Sequence, residues 1–284
     1  MPNRFLVVVR AGDRSLHPGW TRSLASRDWD LVVSYFGDHP GRFRDAGCTR
    51  FDDKGPKWRG LHALLTREAF WRGYDYVMLP DDDLAMQQET ISRLFARAAS
   101  LGLELCQPAL SWSSFYSHAI TVCHPSFSVR FTDFVETMAA CFSCRHLERC
   151  LPTFDESVTG WGLDWVWPRM ASTGVRNVGI VDACIVTHTR PVGGPNYAAL
   201  RESGETPSEE ARRILGARGI ASDQWPRMIA AIDRAGNELR ADDPQEAAVI
   251  EALCRRDWLD FIASRRRLEA PPVRLSHPSA PPAV

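Results

Sequence analysis

The 284-residue sequence has almost no lysine: of its 34 basic residues only Lys54 and Lys57 are Lys, and the other 32 are arginine. It has no excess of either charge, with 34 basic and 35 acidic side chains giving a formal net charge of −1. No block of like charge marks a nucleic-acid arm or a polybasic membrane anchor. No apolar run approaches the roughly 20 residues that cross a bilayer. The opening stretch, MPNRFLVVVR, meets an arginine after a short apolar run and shows no cleavage-site pattern, so it reads as a first strand. Eight cysteines are too few for a disulfide framework in a chain this long and read as reduced thiols. These absences lead us to expect a soluble, cytoplasmic protein with no nucleic-acid partner and no membrane span. What is present, 44% hydrophobic and 24% charged residues, is the balance of a folded globular chain.

Apolar strands and helical stretches alternate. Phe5–Val9 and Leu31–Phe36 are short continuous apolar runs bounded by turn residues, the pattern of buried parallel strands. Leu61, Leu64, Leu65 and Ala69 share one helical face, and Tyr74–Leu79 reads as a strand stopping at Pro80-Asp81-Asp82-Asp83. Ile91, Leu94, Phe95 and Ala98 then predict a second helix. Such alternation predicts an α/β domain on a mostly parallel sheet, with ligands bound beyond the carboxyl ends of its strands. The 10–20 loop, Asp38 and the triple aspartate all fall there. Residues 104–150 read as strand-rich and irregular, Val175–Val181 and Ala183–His188 as two short strands or one bent one, and about 207–268 as two or three helices. We expect residues 1–195 to form the catalytic domain, 196–270 a helical extension, and the Pro-rich 271–284 a disordered tail.

Three consecutive aspartates after an apolar strand repel one another unless a cation or open solvent relieves them. Helix capping accommodates one aspartate, not three, so a divalent metal with oxygen ligands is the stronger reading. In Gly160-Trp-Gly-Leu-Asp164 the glycines permit close backbone approach, Trp161 offers a flat face to a sugar ring, and Asp164 is placed as a general base or as a plain first-turn helix aspartate. His188, ending Ile185-Val-Thr-His-Thr-Arg190, would complete a mixed nitrogen and oxygen site that suits manganese somewhat better than magnesium. Two lysines three residues apart in one loop hint at a compact ammonium wanted there. Cys141-x2-Cys144-x-His146-x3-Cys150 offers zinc-type ligands, but no second Cys-x2-Cys pair completes the usual spacing. It reads first as a helix whose small residues are cysteines.

Strand-end Asp-x-Asp, a Gly-Trp-Gly helix start carrying an acid, and a strand ending in His-x-Arg, in this order, resemble the type A glycosyltransferases. The general likeness is greatest to the metal-dependent inverting galactosyltransferases. A tighter resemblance, over about residues 4 to 195, is to a family of uncharacterised proteins whose plant members are labelled lysine-ketoglutarate reductase trans-splicing related. The segments carrying it are Lys57-Trp58, Tyr74-Asp75-Tyr76, Asp81-Asp82-Asp83-Leu84 and Gln107-Pro108-Ala109-Leu110. It continues through His118-Ala-Ile-Thr121, Phe134-Val-Glu136, Gly160-Trp-Gly-Leu-Asp164 and Asn177-Val-Gly-Ile-Val-Asp182.

The resemblance implies a glycosyltransferase type A domain using Mn2+ or Mg2+, a nucleotide-sugar donor (a UDP-sugar favoured) and a glycan or other hydroxyl acceptor. It implies that Asp81 and Asp83 serve the metal and the donor diphosphate, with Asp82 beside them, that Asp164 is the catalytic base and that His188 ligates the metal. The galactosyltransferases use a methionine three residues before that histidine. Ile185 stands there and cannot ligate, so Asp182 or water would fill the shell. Arg10, Asp13, Asp38 and Lys57 fall where the phosphates and nucleoside would lie, Trp161 by the sugar, and Glu136 where it would touch the acceptor or brace the site. The competing reading is a catalytically inactive module on the same fold that binds a nucleotide or a glycan. A nucleotidyltransferase ranks last, because Arg10-Ala-Gly-Asp13 has only one glycine for a phosphate loop.

Overall fold

A computed structural model describes residues 3–267 apart from 45, 46, 173, 175, 194–196, 198, 199, 202 and 203. The Pro-rich segment 271–284 and the 195/196 boundary lie outside the described residues. Strand β1 (Phe5–Ala11) is buried on both faces: Leu6 and Val8 project into one core layer, Val7 and Val9 into the other, as the two-residue repeat of a strand requires. It pairs in parallel with β2 (Asp30–Tyr35) and β4 (Tyr76–Met78), and β2 pairs with β3 (Thr49–Asp52). Beyond β4 the order continues through β8 (Cys141–Ser143), β6 (Leu105–Leu110), β9 (Val178–His188), β7 (Phe127–Thr132), β10 (Met228–Asp233) and β11 (Glu238–Arg240). The two-residue β5 (Leu84–Ala85) pairs with the end of β9. Among the described residues, seven of the ten strands along the main path run one way, with β8, β7 and β11 reversed.

Helices cover both faces. On one side lie α1 (Lys57–Glu68), α3 (Cys144–Cys150) and α4 (Leu163–Arg169), packing Leu61, Leu64, Leu147 and Val166 against Leu6, Val8 and Phe142. On the other, α2 (Gln88–Leu101) packs Ile91, Leu94 and Phe95 against Val7, Val9 and Val33. The apolar spacing in α1 and α2 thus gives the faces anticipated, except that Ala69 falls outside α1 as its left-handed cap. Val178–His188 is one bent strand, with its register to β6 broken between Pro108 and Ala109.

The stretch expected to be helical carries α5 (Pro207–Gly216) and α6 (Pro244–Arg267), and between them the β10–β11 hairpin, which was not expected. Met228-Ile-Ala-Ala-Ile-Asp has no strong strand propensity. Pairing with the open edge of β7 decides its state.

Candidate active site

The acidic loop leaves β4 and is pinned on both sides. The Leu79 and Asp81 amides donate to the carbonyls of Ala140 and Met138, and the Asp82 carbonyl accepts from Leu16. Trp20 holds β5 from behind, donating through Nε1 to the Leu84 carbonyl at 2.7 Å. Leu84 lies opposite His188 in the β5–β9 pair, so Asp83 arrives beside the imidazole, with Oδ1 3.4 Å from Nε2. Asp81, Asp83 and His188 offer ligand atoms all within 4.8 Å of one another, and among the described residues no other cluster of three or more His, Cys, Asp or Glu does so.

Two observations test whether a cation fits here. The Nδ1 of His188 lies 2.9 Å from the Phe115 carbonyl, so Nδ1 carries the proton, donates it there, and turns Nε2 toward the aspartates. Asp83 Oδ1 is buried and has no hydrogen-bond partner. Burial works to raise the Asp83 carboxyl, but His188 and Arg190 outweigh it and hold it below the usual carboxylate range. Burial works to lower His188, yet Asp83 and Asp81 outweigh it and push the imidazole up. The unpartnered Asp83 oxygen beside Nε2, and the mixed nitrogen and oxygen donor set, fit a divalent ion.

The three aspartates differ. Asp81 receives Lys57 Nζ at 2.5 Å, and that ammonium also donates to the Thr137 carbonyl and sits 4.5 Å from the Trp58 ring centroid. Asp82 turns the other way. Its Oδ2 accepts from the Gly12 amide at 2.8 Å, Arg190 lies 3.4 Å from Oδ1, and burial pushes it up to about 6. Asp82 therefore ties the acidic loop to the end of β1 and stands outside the ligand group.

Asp164 begins α4, where its Oδ1 accepts the Gly162 and Trp165 amides at 3.1 and 3.0 Å. Burial, reinforced by the nearby charge of Glu136, pushes it up to about 8. Glu136 is also buried, with Oε2 unpartnered, and burial raises it to about 7 against the pull of His188. Glu136 thus feels the charges of His188 and Asp81, and Asp164 feels that of Glu136. Gly160 and Gly162 both take φ +94°, which L side chains rarely adopt. A Cβ on Gly160 would also lie 2.5 Å from Trp58 Nε1, and one on Gly162 3.2 Å from the α5 backbone at Ala211. Trp161 is half-buried and its indole N–H donates to Tyr197 Oη.

The remaining candidates stand at the ends of β1 and β2. Buried Arg10 donates to Ser34 Oγ and to the carbonyls of Asp53 and Gly55, bracing the loop that leads to Lys57. Asp13 is bonded to Tyr35 Oη, the Asp38 amide and His39, contacts that hold its carboxyl far below the usual range. The exposed Asp38 side chain pairs with Lys54 at 2.7 Å. Lys54 also donates to the carbonyls of Phe36 and Gly37, so the two lysines clamp different loops rather than one site.

One alternative is corrected, and two readings agree with the structure. Asp182 is fully buried against Arg130, which donates through Nε and Nη2 at 2.8 and 2.9 Å, and it takes no part in the ligand group. Ile185 is 45% exposed, on the opposite side of β9 from buried Val186 and His188, so no side chain there would reach the ligand group. The zinc-type cysteines do not converge. Cys141 lies opposite Cys106 across β8 and β6, Cys144 faces the Trp71 carbonyl, and Cys150 meets His146 within α3.

Glu210 was not anticipated. From α5 it accepts the Val158 and Thr159 amides at 2.6 and 3.1 Å and the Thr159 hydroxyl. The capping box of Thr206 and Glu209, Thr-x-x-Glu, was legible, but nothing in the sequence says which loop the next glutamate would meet.

No family model matches the chain, and no curated protein matches it. Among solved structures, residues 1–349 of S. aureus TarS in complex with UDP-GlcNAc align over 75% of this chain and 71% of that one, at 10% identity and TM-score 0.48. A longer TarS structure aligns over 75% of this chain but 43% of its own, at 12% identity and TM-score 0.42. A mycobacterial protein aligns over 77% and 76%, at 15% identity and TM-score 0.44. The chemistry of the site rests on its own geometry. No helix among the described residues is long and apolar enough to cross a membrane.

Proposed function

We propose that this protein is a glycosyltransferase that uses a divalent cation to move a sugar from a nucleotide-sugar to an acceptor hydroxyl, with inversion. The observation that carries the reading is the convergence of Asp81, Asp83 and His188 at a strand edge, with Asp164 buried at the start of α4. Asp81, Asp83 and His188 would hold the cation, manganese before magnesium because one donor is an imidazole nitrogen. When bound it would neutralise charge on the donor diphosphate.

The chain's own groups supply the rest. The Lys57 ammonium, held against Asp81, offers positive charge to the departing diphosphate. Asp164 accepts the proton of the acceptor hydroxyl as that oxygen attacks the anomeric carbon. Its raised affinity for a proton makes it a stronger base than an exposed aspartate once ionised. Glu136, whose buried Oε2 has no hydrogen-bond partner, would receive a second polar group of the acceptor. Trp161 is the partly exposed aromatic beside Asp164 against which a sugar ring would lie. Arg10 and Asp13 shape the loops on which the nucleoside would rest.

A panel of UDP, GDP, CMP and ADP, each with and without manganese, tests the donor site through thermal shift. One nucleotide should stabilise the protein only with metal, and not in Asp83→Ala. Sugar transfer from the matching donor then separates a transferase from a module that binds and does not turn over. Nucleotide binding without product would establish the latter.

A further inference from the structure

We infer that Glu210 is the positioning residue for Asp164: through it helix α5 fixes the loop that holds the carboxyl in its catalytic orientation. The claim that this orientation is catalytic rests on the transferase reading; the claim that Glu210 fixes the loop does not.

Glu210 is 0% exposed, and its two oxygens receive three donors, the amides of Val158 and Thr159 and the Thr159 hydroxyl, all from one turn of chain. That turn runs directly into Gly160-Trp-Gly162. The Thr159 hydroxyl oxygen in turn accepts the Trp161 amide at 3.3 Å, and the Gly160 amide donates to Ser157 Oγ at 2.8 Å. Two residues further on, the Gly162 amide donates to Asp164 Oδ1. An unbroken series of bonds therefore links α5 to the carboxyl. Close packing reinforces it, because Gly162 lies so near Ala211 that a Cβ would stand 3.2 Å from the α5 backbone. Ile214 and Leu215 seat the same helix in the core layer that contains Leu163 and Val166 of α4. A buried carboxylate committed to three backbone and hydroxyl donors of one loop is costlier than an apolar side chain unless holding that loop matters. The loop it holds has both glycines at φ +94°, a conformation open to glycine and closed to most L side chains, so the path of this turn is particular to its two glycines.

The experiment compares native full-length protein with Glu210→Gln, Thr159→Val and Thr159→Ser. Gln keeps the shape but turns one acceptor into an amide donor facing the loop's own N–H groups. Val removes one donor from the opposite partner, so the test survives if the Gln variant does not fold. Ser restores the hydroxyl. Hydrogen exchange at the 158–162 amides should rise about tenfold or more in Glu210→Gln, rise less in Thr159→Val and stay near native in Thr159→Ser, as expected for loss of a charge-assisted hydrogen bond. Exchange in β1 and α2 should be unchanged.

Turnover in Glu210→Gln should fall about 10- to 100-fold with donor KM and metal-dependent nucleotide binding retained, the loss expected when a reacting group is displaced by about 1 Å. The acid limb of its pH–rate profile should move to higher pH, because the Gly162 amide that favours ionised Asp164 is no longer held. Unchanged exchange at 158–162 overturns the inference. So does raised exchange with native turnover, or a turnover loss that only tracks the unfolded fraction and leaves the pH profile in place. If native protein transfers no sugar, the catalytic part falls with the transferase reading, and exchange alone decides whether Glu210 fixes the loop.

Discussion

Asp164 is where stability and chemistry oppose each other. Its carboxyl is pushed up to about 8 by burial and by Glu136, so at neutral pH the group is mainly protonated and must lose that proton to act as a base. The expected kcat/KM of the free enzyme therefore rises with pH and levels off above about 8. Glu136→Gln removes a like charge and should move that limb to lower pH, which a pH–rate series on the two proteins would show. Asp164→Asn should cut transfer by about 10²- to 10⁴-fold, the usual worth of a general base, while metal-dependent nucleotide binding stays near native. For stability the sign runs the other way. A carboxyl whose folded pKa lies above its unfolded value stabilises the fold at acid pH and loses that contribution as pH rises through about 8. Asp164→Asn should thus melt above the native protein at pH 8 to 9, with the gap closing toward pH 4. Equal melting temperatures across that range would contradict the buried, proton-retaining carboxyl.

At the scale of elements, the ligand group depends on a two-residue strand. β5 pairs with β9 only at Leu84–His188 and Ala85–Thr187, and β9 reaches that point after the break in register at Pro108–Ala109. Asp182 lies within that break and is tied to Arg130 of β7. Arg130→Met should strand the buried Asp182 charge and cost about 3–5 kcal/mol, whereas the double change with Asp182→Leu should recover most of it. Denaturant melts of the single and double variants check this. The sequence disclosed the aspartate cluster, the glycine turn and the strand-end histidine because each is a local pattern: apolar run then acids, Gly-x-Gly before a helical face, apolar run then imidazole. It did not disclose that Asp82 would bond back to Gly12 or that Asp182 would meet Arg130 52 residues away. Such partners are set by strand order, which periodicity does not contain. Ile185 illustrates the same limit: its spacing from His188 matched a ligand position, and the pleat turned it outward.

Over the whole molecule, the chain after residue 204 completes structures begun before it. Helix α5 packs on Gly162, the β10–β11 hairpin covers the edge of β7, and Asp257 of α6 accepts from the Ser126 amide and hydroxyl at 3.0 and 2.7 Å. A chain ending at residue 195 would leave β7 with an open edge, a template for pairing with other chains. It should elute as aggregate in size-exclusion chromatography where the full chain does not. The alternation of strands and helices up to β9 was legible because period and burial agree there. The hairpin was not, because its residues are indifferent between helix and strand until β7 offers them a partner.

The scarcity of lysine has a practical consequence through the two environments those residues occupy. Lys54 is 67% exposed, on the loop beside Asp38, whereas Lys57 is 7% exposed beneath Asp81. An amine-reactive fluorophore would find one accessible side-chain amine among the described residues, on the loop between β3 and α1, where it is bonded to Asp38 and to none of Asp81, Asp83 and His188. The native sequence thus carries its own near-unique labelling handle, from which a dye could follow nucleotide binding without any engineered cysteine.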